Sequence, residues 1–183
     1  MAVKKKKQAG RRAYLNDFHR DLTGAYIYDG SHFHFAGDGW KQALLRLWAL
    51  GIVLVVLVLA GGFSGETMAH CVFQILPYLM EVGAVGSVVW ALARLTSGGE
   101  TLRAYVYEAT VQALPGRAVL VMCAAGAGML GTALCMIVHG TAGRLAGLLL
   151  CLLLKAALLA GAWLLRRYVQ TLPWEGPPEE TAD

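Results

Sequence analysis

Charge is scarce in this chain: 15% of its 183 residues are Asp, Glu, Lys or Arg, against about 25% in an ordinary soluble domain. The shortage is concentrated in four runs of about 20 residues where charge nearly vanishes. Cysteine gives no framework either. Cys71, Cys123, Cys135 and Cys151 contain no Cys-x-x-Cys pair, and the last three sit well inside apolar runs. Neither a disulfide framework nor a zinc site is suggested. A Gly-x-x-x-x-Gly-Lys phosphate loop, a nucleophile elbow, His-Glu-x-x-His and paired catalytic carboxylates are all missing. Nothing points to an enzyme, and no cofactor or metal is called for.

What the chain has is apolar mass. Hydrophobic residues make up 57% of it, gathered near residues 43–63, 71–93, 118–138 and 145–165. Blocks of that length with few charges read as membrane spans. Backbone groups in lipid must be satisfied within their own segment, so spans of this kind are helices. A soluble bundle would need a polar stripe on every helix, and the third block has none. The expected fold is an all-α membrane protein, a four-transmembrane-helix bundle over residues 40–168.

Orientation follows from the basic residues. Of the 16, nine precede or open the first span, Arg94, Arg103 and Arg117 lie between the second and third, and Arg166 and Arg167 follow the fourth. Only Arg144 falls on the opposite side, and Lys155 lies within a span. The positive-inside bias therefore puts both termini in the cytoplasm. The net charge of +4 is a topology signal and not a nucleic-acid footprint. With no cleavable leader evident, the first span is expected to act as a signal anchor in the plasma (inner) membrane.

Residues 1–24 form a basic segment whose Lys4–Lys7 run sets orientation or rests on anionic headgroups. Residues 25–36 alternate around Asp29-Gly30, a strong hairpin signal. The expected interfacial β-hairpin puts Tyr26, Tyr28, Phe33 and Phe35 on one face and Ile27, His32 and His34 on the other. A two-stranded hairpin is marginal in water, so the aromatic face needs a cover: the interface, another strand or a partner. Ala104-Tyr105-Val106-Tyr107-Glu108 echoes Ala25-Tyr26-Ile27-Tyr28-Asp29, which predicts a third strand and hints at two related halves. Trp40 is placed as an interface anchor. Residues 169–183, acidic and proline-rich, are expected to be disordered beyond an interfacial Trp174.

Two side chains stand out within the spans. Glu81 lies near the middle of the second and Lys155 near the middle of the fourth, each about 15 Å from the span ends. Both spans run in the same direction, so the charges fall at one depth and can meet if those helices are neighbours. An unpaired charge there costs on the order of 3 kcal/mol. The pair either fixes helix register, forms a pathway for an ion, proton or polar solute, or meets a charge on another subunit. Gln74 and Tyr78, four apart beside Pro77, are candidates to extend a polar seam toward Glu81, as is Ser87. On the third helix Ala124, Gly128 and Thr132 recur every four residues, as do Ala127 and Gly131, which permits close packing within the chain or between copies.

His70 and His139 fall at helix ends, where a polar cap explains them better than haem ligation does. His32 and His34 make an incomplete zinc site. The sequence-based expectation is a non-enzymatic accessory or assembly subunit of a larger membrane transport complex, with a membrane-protein partner or as a homo-oligomer. The alternative is a small oligomeric channel or carrier working through Glu81 and Lys155.

Overall fold

The structure is a computed structural model, and it describes residues 18–20, 26–28, 31–37, 39–63, 72–140 and 145–176. Four helices, α1 (Trp40–Phe63), α2 (Val72–Gly98), α3 (Leu114–His139) and α4 (Leu145–Gln170), are long and apolar enough to cross a membrane. Each of the first three begins or ends beyond the apolar run that announces it, and α4 runs on through Arg166 and Arg167 to Gln170. Composition changes at a bilayer boundary, whereas helical hydrogen bonding does not have to stop there.

The helices form a ring. α1 packs on α2 and α4, and α3 packs on α2 and α4. The second and fourth helices therefore face each other across the bundle and are not side-by-side neighbours. The interior is apolar over most of its length, with Leu47, Leu54, Val88, Leu92, Leu95, Val121, Leu158 and Leu165 fully enclosed. The outside is apolar too. Ile52, Val56, Leu130, Ile137 and Leu153 are each more than half exposed. A helix that is apolar all round is suited to lipid on its outer face. Close packing inside uses small residues: a Cβ on Gly51 would stand 2.7 Å from Leu92. Trp48 also donates to Thr96 Oγ1 across α1 and α2 at 2.9 Å.

The strands depart from the expected hairpin. Strand β2 (Tyr26–Tyr28) pairs antiparallel with β1 (Phe18–Arg20), with Phe18 opposite Tyr28. Strand β3 (His32–Phe35) instead becomes the centre of a second, three-stranded sheet. Its partners are β4 (Thr101–Arg103), which follows α2, and β5 (Trp174–Glu175), which follows α4. Phe33 lies opposite Leu102 and Phe35 opposite Trp174. With β4 along His32–His34 and β5 at His34 and Phe35, β3 engages more of its backbone groups than one local partner would allow. The predicted third strand is misplaced by a few residues. Ala104–Tyr107 is a helical turn that runs through π-helical Glu108–Gln112 into α3. The echo between residues 25–29 and 104–108 thus joins a strand segment to a helix, which removes its support for two related halves.

Within β3 the alternation holds: His32 and His34 are exposed, Phe33 and Phe35 half-buried. The cover for those phenylalanines comes from this chain. Phe33 stacks on Tyr107 with centroids 4.1 Å apart, while Phe35 meets Trp40 at 5.3 Å and Trp174 at 5.5 Å. Trp40 and Trp174 also meet edge to face. Trp40 is buried and so is not a lipid anchor, and Trp174 belongs to an ordered strand instead of opening a disordered tail. The rest of the expected tail, like residues 1–17, lies outside the described residues, and the side chains of Tyr26 and Tyr28 do too.

Replacing Trp40 with Ala opens this aromatic cluster at its most enclosed member. It should lower stability by about 3 kcal/mol, whereas His34→Ala on the outer face should change it by less than about 0.5 kcal/mol. Denaturant titration of the detergent-solubilised protein measures both.

Candidate functional site

Among the described residues, fully buried charge lies at one level of the bundle only. Glu81 on α2 and Lys155 on α4 form a salt bridge there, with 1% and 4% of their surfaces exposed. The two residues lie nine and ten positions from the starts of parallel helices, so counting along each helix brings them to the same height. Because α2 and α4 are opposite each other, the pair bridges the middle of the ring, and the long Lys155 side chain makes this reach possible.

The third helix is shaped around the pair. Gly128 lies so close that a Cβ there would stand 2.5 Å from Glu81 Oε1 and 3.2 Å from Lys155 Cε. Ala124, Gly131 and Thr132 are likewise buried within the bundle, so this stretch of small residues is taken up by packing inside the chain. Gly131 has its own reason to be small. It abuts the carbonyl of Phe73, four residues before Pro77, which therefore lacks its usual helical donor. Close approach of a neighbouring helix is one way such a carbonyl is accommodated.

Tyr78 completes the wall toward α1. Lys155 Nζ lies 5.6 Å from its ring centroid, a cation–π arrangement, and the Tyr78 hydroxyl packs against Gly62. Gln74 is two helical turns from Glu81 on the same side of α2 and is 3% exposed. Its amide donates to Thr132 Oγ1 at 3.2 Å, and Thr132 donates to the Gly128 carbonyl at 2.9 Å. Cys151 Sγ lies 3.8 Å from the same hydroxyl. Ser87 is not part of this column: its hydroxyl turns back to the Ala84 carbonyl at 2.7 Å.

The interior therefore divides into two unlike halves. From the pair toward the starts of α2 and α4, polar groups continue through Gln74, Thr132 and Cys151, over about 10 Å of helix. Toward the sheet, Val88, Leu92, Val121, Leu158 and Leu165 close the core with hydrocarbon. Two buried oxygens in the polar half, Gln74 Oε1 and Glu81 Oε1, have no hydrogen-bond partner among the described residues. Buried acceptors of this kind are costly and stand ready for a donor or a cation.

Sequence reasoning singled out Glu81, Lys155, Gln74 and Tyr78, and the fold brings all four to one region. It did not find Thr132 as the partner of Gln74, nor Cys151. The signal for Thr132 was its one-turn spacing from Gly128 on a face already marked by small residues. Among the described residues no group of three or more His, Cys, Asp or Glu is placed to hold a metal. His70 lies outside them, and so does the side chain of His139.

Gly128→Ala drives a methyl into the ion pair and should destabilise the protein by about 1–3 kcal/mol. Gly126→Ala, whose Cβ would meet nothing within 4 Å, should be close to neutral. Thermal unfolding in detergent compares the two. No protein family, no curated protein and no solved structure matches this chain.

Proposed function

We propose that this chain is a small non-enzymatic membrane carrier or channel in which Glu81 and Lys155 form the ion-handling centre. The observation that carries the proposal is the fully enclosed pair, with the unpartnered oxygens of Glu81 and Gln74 nearby. Intramembrane charges are expensive and generally mark pathways. Acceptors without donors favour a proton or a small cation over an anion.

The one-sided polar column supports entry from the end where α2 and α4 begin, with the hydrocarbon half below the pair acting as the closed gate. The bias of basic residues supports a cytoplasmic sheet end and hence entry from outside, in the proposed setting of a plasma (inner) membrane. One feature that favoured an accessory subunit, the aromatic strand in need of a cover, has Phe33 and Phe35 covered within the chain, and the small-residue stretch of α3, weighed as packing within the chain or between copies, is buried at Ala124, Gly128, Gly131 and Thr132. What remains unexplained by packing alone is the charged centre, which is why transport is the stronger reading. A larger complex is where an unsuccessful flux experiment would direct attention.

In proteoliposomes, pH-sensitive and cation-sensitive dyes should report flux with the natural chain and its loss in Glu81→Gln, Lys155→Met and the double variant. Either single change leaves an uncompensated buried group and should cost about 3–5 kcal/mol, most of which the double change should restore. A double variant that regains stability and still conducts like the natural chain overturns the proposal.

A further inference from the structure

Glu81 has two oxygens and uses only one of them. Oε2 accepts from the Lys155 ammonium, while Oε1, enclosed beside Gly128, has no hydrogen-bond partner among the described residues. The ammonium is underused as well. It carries three N–H donors, gives one to Glu81 and turns its charge toward the Tyr78 ring, 5.6 Å from the centroid. That this cation is a lysine matters. A guanidinium fork would grip both carboxylate oxygens, whereas an ammonium is a compact point charge on a flexible stem, similar in kind to a bare alkali cation.

One carboxylate enclosed by hydrocarbon neutralises one positive charge. A mobile cation arriving beside Glu81 leaves the centre with a positive charge in excess, which is costly where the dielectric is low. Glu81 can therefore serve Lys155 or an incoming cation, but not both at full strength. The face of Tyr78 gives the ammonium somewhere to lean when it yields. The unpartnered atoms of this half, Glu81 Oε1 and Gln74 Oε1, are hard oxygens that suit an alkali cation over a soft metal. The single carboxylate selects a monovalent ion over a divalent one. We propose that Glu81 binds a monovalent alkali cation and that Lys155 is its built-in competitor, which holds the cation's place at rest and keeps the affinity low enough for release. This rests on the reading of the pair as the ion-handling centre, and it names the class of ion and what controls its binding.

Thermal unfolding of the full chain in detergent and alkaline buffer, with sodium or potassium chloride exchanged for choline chloride at constant ionic strength, tests this. Lys155→Met should be protected saturably by at least one alkali salt, with an apparent affinity about a hundred-fold above that of the natural chain, because a like charge beside the site is gone. Lys155→Gln, which keeps a polar side chain there, should change in the same direction and serves if the methionine variant does not fold. Glu81→Gln/Lys155→Met should unfold at one temperature in all three salts. Equal unfolding temperatures in all three salts for the single Lys155 variants overturn the proposal, and so does alkali protection that persists in the double variant. Flux fails separately: a natural chain that passes no ions in liposomes, beside an alkali-protected Lys155→Met, removes transport and supports the cation site with its competitor.

Discussion

One ion pair sets the terms for the rest of this molecule. A carboxylate and an ammonium group enclosed by hydrocarbon tolerate each other's presence and little else. Their demand fixes the height of α2 against α4, since a slip of one turn in either helix would part them by about 5 Å. It also dictates what α3 presents, because only a glycine at position 128 leaves room for both side chains. The aromatic ring of Tyr78 against the ammonium supplies the remaining wall. Register, helix spacing and residue size thus trace to one contact.

That contact also divides the bundle lengthwise. Polar atoms occupy the half bounded by the starts of α2 and α4, and branched aliphatic side chains fill the half that leads to the sheet. A channel of uniform bore would show no such asymmetry. Under the proposed transport role, a centre approached from one side and sealed on the other suits alternating access, in which the seal and the approach exchange roles.

How much of this was legible in the sequence depends on the contrast each residue makes with its surroundings. Glu81 and Lys155 are conspicuous because nothing near them in the chain is charged, and their common depth follows from counting. Their placement on opposite sides of the ring does not, since helix order around a bundle leaves no mark on a single segment. The pleat of β3 was visible as His-Phe-His-Phe, but its partners were not. Strands of two or three residues such as Trp174–Glu175 and Thr101–Arg103 are too short for any periodicity, and the pairing signal at Asp29-Gly30 was purely local. Ala104–Tyr107 has the alternating look of a strand, yet it is drawn into helical geometry where it leads into α3. Tertiary context outweighed local preference there.

The sheet joins segments that leave the ribosome far apart in time. Strand β3 precedes every long helix, whereas β5 follows the last of them, and the two are hydrogen-bonded neighbours. Phe35 must therefore wait for Trp174 through the synthesis of all four helices. The clasp shuts only on a chain whose four long helices have all been made, so it ties the first part of the fold to the last.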